Sequence, residues 1–594
     1  MPATTIPQLF IHLTDSFKKP ALFLYKKDGR YISISTEEVR QTVSRICLGL
    51  RDLGVGREDK VILLAENGPW WTMTDYAVIC LGAVTVPVYT SLVPEQVKYI
   101  INDSDAKAVI VSDRNLWDKV AAVKDGLPKV EHFITFEADP PAPGVLPLSR
   151  IEEKGGQAGA RNPSLFLETA KAVRPDDIAS IIYTSGTTGA PKGVMLSHAN
   201  FVSNIETLAS IIEFGPADID LSFLPLSHVL ERLVIFAFQS RGTTMAFAES
   251  VESVAANLIE VRPTIMVSVP RLFEKIYTRV MDAILSGSFL KKKIFYWALG
   301  VGRECGARRL RGQPVPASLK RRLGLAHKLV FSKILEKTGG RVRFFVSGGA
   351  PLAKEIAEFF YALGLVVLEG YGLTETSPVI AVNTFANLRF GTVGKPIPGV
   401  DVKIAGDGEI VVRGPNVMTG YYKKPEETRE VLVDGWLHTG DIGFLDRDGF
   451  LVITDRKKDL IVTSGGKNVA PQPIENLVKQ SPYILNAVVL GSRRKFVSAL
   501  IVPDFDKLEV YARAGNIPYV NRRDLIQNDV IHRFLESEVD RCTPNLAPYE
   551  KVKKIALLER DFEIEKGEIT PTLKVKRSVV EEKFKDVIDS LYRD

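Results

Sequence analysis

Residues 183–194 read YTSGTTGAPKGV. Four hydroxyl residues, Thr184, Ser185, Thr187 and Thr188, are interleaved with Gly186 and Gly189, and Lys192 follows them. The stretch comes after a β-branched run, IASIIYT from 178, and before a helical pattern that begins around His198. Such a loop turns backbone N–H groups and hydroxyls toward phosphate oxygens, while the ammonium supplies countercharge. It is not a Walker A loop, because GxxxxGK followed by Ser or Thr occurs nowhere in the chain. Taken alone, the stretch also fits an ordinary Gly/Ser/Thr turn. Its surroundings decide between the two.

On both sides of it, short β-branched runs alternate with helical patterns. The runs are VILLAE at 61, VTVPV at 84, AVIVS at 108, TIMVSV at 264, RVRFFVS at 341 and VVLEGY at 366. Alternation of this kind implies βαβ crossovers and mostly parallel sheets. Past Asp401 the texture changes to strand-and-turn segments, DVKIAGDGEIVVRG, and then to the charged DRKKDLIVTSGGKN. A self-contained α+β pattern follows, with AVVLGS and VSALIVP ahead of amphipathic helices. The expected fold class is α/β: a large N-terminal domain of several subdomains over 1–455, and a small α+β C-terminal domain over 456–594.

The composition is that of an ordinary globular chain: 594 residues, 45% hydrophobic and 25% charged. Cys47, Cys80, Cys305 and Cys542 lie far apart and match neither a disulfide framework nor a CxxC metal site, so a reducing, cytoplasmic compartment is expected. The N-terminus lacks a basic region followed by an apolar run, and so does not read as a signal peptide. The most apolar stretch, 76–88, contains Gly and Pro and falls short of the about 20 residues a bilayer span takes. It reads as a buried helix followed by a strand. Net charge is +6, but 291–333 holds twelve basic residues against one acid, Glu304, leaving the rest of the chain at −5. A solvated helical face fits that segment. So does contact with anionic phospholipid, because KKKIFYWALG interleaves lysines with aromatics. Nothing else in the chain supports nucleic acid.

Further motifs stand in one order: PLSHVLER at 225–232, SGGAPL at 347–352, GYGLTET at 370–376, HTGD at 438–441, DRKKD at 455–459 and TPTLKVKR at 570–577. With YTSGTTGAPKGV they resemble, in order and rough spacing, the AMP-forming acyl-adenylate ligases, over almost the whole chain. Within that superfamily the chain looks most like the long-chain fatty acyl-CoA synthetases, on RVRFFVSGGAPL, the 290–333 insertion and GEITPTLKVKR. The resemblance implies ATP-dependent conversion of a fatty carboxylate to acyl-AMP, then transfer to CoA. Delivery to another acceptor, such as a carrier-protein thiol, shares nearly every motif.

Site roles follow from that resemblance. Thr184, Ser185, Gly186, Thr187, Thr188 and Lys192 would hold the β- and γ-phosphates. Gly349 and Ala350, in the turn after Ser347, would approach adenine, and Tyr371, Gly372 and Thr374 would line adenine and the α-phosphate. Glu375, with Thr184, would bind Mg²⁺, whose oxygen preference both residues meet. Asp441 would take the ribose hydroxyls with help from Arg456. His228 would sit beside the acyl carbonyl in a positioning role, and Lys574 would bridge carboxylate and α-phosphate in adenylation. The C-terminal domain would then swing about Lys458, bringing the 463–468 loop to the acyl-adenylate, with Lys566, Lys576 and Arg577 as surface charge. Each has a plainer reading: a helix cap for Glu375, a turn for Gly348–Ala350, Asp441 and the 465–466 glycines, a satisfied core histidine for His228.

Overall fold

The computed structural model describes residues 3–184, 190–465, 467–563, 566–570 and 575–593. The chain divides into two compact units. The first comprises Met1–Val402, Val412–His438 and Arg447–Leu451; the second comprises Lys403–Val411, Thr439–Asp446 and Val452–Asp594. All five tryptophans, Trp70, Trp71, Trp117, Trp297 and Trp436, belong to the first.

Two large sheets build the first unit among the described residues. One has eight strands, in the order Gly420–Tyr421, Lys192–Ser197, Ile178–Thr184, Val84–Pro87, Lys60–Leu64, Ala106–Val111, His132–Thr135 and Val145–Pro147. Its last six strands pair in parallel, while Lys192–Ser197 runs antiparallel to both its neighbours. The other has nine strands, with five parallel pairings from Val366–Gly372 through Phe344–Ser347, Ile265–Ser268, Ile219–Ser222 and Thr244–Phe247 to Phe23–Lys27. Every β-branched run read from the sequence is a strand here. The apolar stretch 76–88 divides into the end of helix Pro69–Cys80, buried almost all round, and the strand Val84–Pro87.

Local sequence sets the helix starts. Ser197 caps helix His198–Ile211 through a capping box with Asn200. His198 itself is buried, and its Nδ1 accepts a hydrogen bond from Ile6 N at 3.3 Å, tying the N-terminal helix Ile6–Ser16 to this one. Burial pushes its imidazole down to about 3. At the core, Arg232 and Asp75, each 1% exposed, form a two-bond ion pair at 2.7 and 2.6 Å. The insertion contributes helix Phe289–Leu310, which packs on helix Lys354–Leu363. A Cβ on Gly302 would lie 2.2 Å from Ala362 O, so only glycine permits that approach.

The second unit is α+β. Ile484–Leu490, Val497–Pro503 and Val552–Leu557 form a three-stranded sheet, antiparallel then parallel, with an apolar core that includes Ile474, Val489, Leu508, Leu525 and Leu535. Ile461–Val462 and Asn468–Val469 pair as a short hairpin. Among the described residues, no helix is long and apolar enough to cross a membrane.

Candidate active site

The YTSGTTGAPKGV stretch closes a hairpin rather than joining a strand directly to a helix. Thr184 and Lys192 are register partners at the ends of antiparallel strands. Ser185, Gly186, Thr187 and Thr188 lie outside the described residues. From this hairpin end, three side chains of the first unit connect. Lys192 Nζ lies 5.0 Å from the centre of the Tyr421 ring, a cation–π distance. The Tyr421 hydroxyl donates to Glu375 Oε1 at 2.9 Å. Burial, then the Glu375 carboxylate, push the Tyr421 phenol upward, so it stays a donor across the physiological range.

Backbone pairing places these groups. Gly420–Tyr421 adds to the edge of Lys192–Ser197, with Tyr422 N donating to Gly193 O at 2.8 Å. Met418 N donates to Glu375 O at 2.8 Å, seating the Thr374–Thr376 turn beside the same edge. The cap of that turn is Thr376, whose Oγ1 accepts from Leu373 N at 3.0 Å. The carboxylate of Glu375 is therefore not needed as a cap and points its Oε1 to Tyr421 instead.

Tyr371 and Gly372 end their strand in antiparallel register with Ala381 and Val379. A Cβ on Gly372 would fall 1.7 Å from Pro378 O, so this glycine answers a backbone crossing. Gly349, at φ +81, and Ala350 are exposed on the turn after Ser347, while Gly348 is buried under Leu230, whose Cδ2 would be 3.1 Å from an added Cβ. Leu230 belongs to helix Val229–Ser240, capped by His228, so the helix start and the SGGAPL turn are neighbours. Beneath that turn Glu369 is 5% exposed, accepts from Leu352 N, and is pushed up to about 8 by burial.

The second unit holds the remaining candidates. Asp441, 4% exposed, faces Arg456, with Arg456 Nε at 3.2 Å from its Oδ1. Lys457 bridges Asp407 and Glu409 at 2.6 and 3.0 Å. Lys574 lies outside the described residues; Ile569 and Val575, on either side of it in sequence, form an antiparallel bridge. Lys566 is a surface lysine paired with Glu563 at 2.9 Å. Arg577 corrects the sequence reading: its side chain is 14% exposed and pairs with Glu475 at 2.8 Å, because the neighbouring helix Pro471–Val478 supplies a buried carboxylate. Sequence reasoning missed Tyr421. Tyr421 has no local signal, since strand pairing brings it to Glu375.

This arrangement, a cation and a carboxylate bridged by a phenol beside the strand ends at Thr184 and Lys192, suits an anionic, cation-accompanied ligand. The family profile described as AMP-binding enzyme matches residues 14–422, and the AMP-binding enzyme C-terminal domain matches 458–594. The chain belongs to the AMP-binding enzyme family. Among its relatives, the long-chain-fatty-acid–CoA ligase FadD15 of Mycobacterium bovis is 36% identical over 581 residues, covering 96% of this chain and 95% of that one. The long-chain-fatty-acid–CoA ligase ACSBG1 of Bos taurus is 32% identical, covering 99% of this chain and 85% of its own. A solved adenylation domain of a carboxylate reductase from Mycobacterium chelonae shares the fold, with a TM-score of 0.75, 21% identity and coverage of 100% and 92%.

Proposed function

We propose that the protein is an AMP-forming long-chain fatty acyl-CoA ligase. In the first half-reaction the fatty carboxylate attacks the α-phosphate of ATP and pyrophosphate leaves. In the second the CoA thiol attacks the acyl carbon and AMP leaves. The observation that carries the reading is identity with long-chain-fatty-acid–CoA ligases over nearly the full length of the chain. The Lys192–Tyr421–Glu375 cluster supplies chemistry that fits it.

Both half-reactions gather negative charge, so fixed cations and donors are what the site must offer. Lys192 and the 184–188 loop hold the β- and γ-phosphates; the 349–350 turn, Tyr371, Gly372 and Thr374 line the adenosine end; Asp441 and Arg456 take the ribose. Among the described residues no cluster of three or more His, Cys, Asp or Glu could hold a metal by itself. Thr184 and Glu375 offer oxygen donors of the kind that suit Mg²⁺, which binds through one or two protein oxygens plus substrate phosphates. Thr184 and Glu375 would hold it, and when bound it neutralises phosphate charge. Lys574 serves adenylation only, and 456–594 moves as a domain about Lys458 to admit CoA.

The setting is cytoplasmic, at an anionic membrane met through 291–333. Supporting this, Phe289, Lys293, Tyr296 and Arg303 share the helix stripe opposite the packed Phe295, Ala298, Gly302 and Cys305, and Phe289 is 82% exposed. Sedimentation with vesicles containing anionic lipid, absent with neutral ones, checks it. For the reaction, the protein is given MgATP, CoA and fatty acids from short to long chain. Equal amounts of AMP, pyrophosphate and acyl-CoA, greatest with long chains, are expected. Pyrophosphate without thioester would move the acceptor elsewhere.

A further inference from the structure

Lys192 and Tyr421 stand at strand ends that are tied to one short stretch of chain, residues 99–105. Helix Pro94–Asp103 fills most of that stretch, and Val97 and Ile100 root it in the core that also holds Val86, Val109 and Ile181. From its outer side the Tyr99 hydroxyl donates to Pro191 O at 3.2 Å, one residue before Lys192. The Tyr183 hydroxyl donates to Asp103 Oδ2 at 2.6 Å, from the strand whose Thr184 is the register partner of Lys192. Tyr183 has room for this because its own register partner is Gly193, where a Cβ would fall 3.1 Å from Tyr183 Cζ. The Tyr99 and Tyr183 rings meet edge-on, with centroids 6.4 Å apart.

Just past the helix, Asp105 holds the third strand. Its Oδ2 accepts from the Tyr422 hydroxyl at 3.2 Å and faces Lys423 Nζ at 2.7 Å. The same ammonium donates to Asp103 O at 2.8 Å. Tyr422 and Lys423 directly follow Tyr421, and Tyr422 N is bonded to Gly193 O. Asp105 has φ +54, a left-handed conformation costly for a residue with a side chain, so the turn carries strain where it presents this carboxylate. Burial opposes its charge, yet Lys129 and Lys423 hold the carboxyl down to about 2, so it stays an anion at neutral pH.

We infer that Tyr99, Asp103 and Asp105 are positioning residues for the Lys192–Tyr421 pair, and through it for the phosphates of ATP. The strands ending at Thr184, Lys192 and Tyr421 each have a tether to the 99–105 stretch, so one rooted helix sets where the ammonium and the phenol stand. Small displacements of such groups are costly, because a misplacement of about 1 Å can cost about 10²-fold. The inference rests on the proposed role of Lys192 toward the β- and γ-phosphates. The tethers themselves do not.

The test reads side-chain deletions in the full chain by steady-state kinetics and by calorimetric binding of MgATP. Tyr99→Phe and Asp103→Ala should each raise KM for ATP and the MgATP dissociation constant about three- to tenfold, with KM for the fatty acid unchanged. Asp103→Asn, which keeps an acceptor for Tyr183, should recover most of the loss. Both KM values rising together, or neither rising, overturns the positioning role. Lys423→Ala and Lys129→Ala separate positioning from charge, since each removes an ammonium 2.7 Å from Asp105 but only Lys423 lies next to the Tyr421 strand. Lys423→Ala should weaken MgATP binding and Lys129→Ala should not; equal effects remove Asp105 from the role. In a Lys192→Ala background, Tyr99→Phe should change MgATP affinity less than about twofold, because its effect passes through Lys192. An undiminished effect there would equally overturn the proposal. Wild type that binds MgATP but makes no acyl-CoA would count against the ligase reading alone, and the dissociation constants would still decide the tethers. Wild type that binds no MgATP would end both.

Discussion

Glu369 of the larger unit and Glu568 of the smaller are both buried, 5% and 0% exposed, yet they are pushed in opposite directions. Burial raises Glu369 to about 8, opposed only by the Leu352 N–H. Glu231, buried beside Asp220, is likewise raised to about 8, and Asp220 is pushed up by burial and by Glu231. Glu568 instead meets Arg560 through two bonds of 2.7 Å, and Glu538 meets Arg541 at 2.8 and 2.7 Å. These guanidinium bonds hold both carboxyls below their ordinary value. A buried acid can keep its proton or be given a partner, and the two units favour different answers. Neither is uniform. Asp75 in the larger unit is paired with Arg232, and Asp455 in the smaller is raised by burial to about 6.

The largest expected effect is at Lys574, the lysine proposed to serve adenylation. Lys574→Ala should lower adenylation roughly 10³-fold and leave transfer from pre-formed acyl-AMP to CoA largely intact. Equal loss in both half-reactions would reject the proposed restriction of Lys574 to adenylation. Next is the exception in the larger unit: Asp75→Ala leaves the Arg232 guanidinium buried and unpaired, at a cost of about 3–5 kcal/mol in denaturant unfolding. A cost under about 1 kcal/mol would mean the pair is less enclosed than its 1% exposure indicates. Tyr421→Phe removes one hydrogen bond to a carboxylate and should slow ATP–pyrophosphate exchange while lowering the melting temperature by only roughly a few degrees. Unchanged exchange would detach Tyr421 from the site.

The smallest effect tests the comparison itself. Folded Glu369 and Glu231 titrate near 8 and an unfolded glutamate near 4.5, so the folded larger unit binds more protons between those values. The contribution of these two carboxyls to its stability is fully present below about pH 4.5 and is lost as pH rises through about 8. Tryptophan fluorescence isolates this unit, because all five tryptophans lie in it. The urea midpoint should fall as pH rises toward 8, and Glu369→Gln should flatten part of that slope. A midpoint rising over that range would reverse the sign. The paired glutamates Glu538 and Glu568 carry the opposite dependence, their contribution present above about pH 4.5 and lost in acid.

Much of the architecture was legible because strands and helices write their periods locally. The β-branched runs at 61, 84, 108, 178, 264, 341 and 366 are all strands, and the helix after Ser197 starts at its capping box. The candidate site is marked in the sequence where a motif is continuous, as at Thr184 and Lys192, whose hairpin pairing came only from the structure. What the sequence hid was partnership across distance. Tyr421 reaches Glu375 from 46 positions away, and Asn67 reaches the His228 loop from 157 and 159. Arg577 read as surface charge because a basic residue near a chain end usually is; Glu475, about a hundred residues earlier, is what makes its burial tolerable.

Helix Phe289–Leu310 is seated where Gly302 and Gly306 lie against Ala362 and Tyr361, a fit made of missing side chains. Its inner face therefore has almost no freedom to drift. The outer stripe of Phe289, Lys293, Tyr296 and Arg303 is exposed, so its end at Phe289 and Lys293 can be rewritten like an address label on a fixed envelope without disturbing the interior.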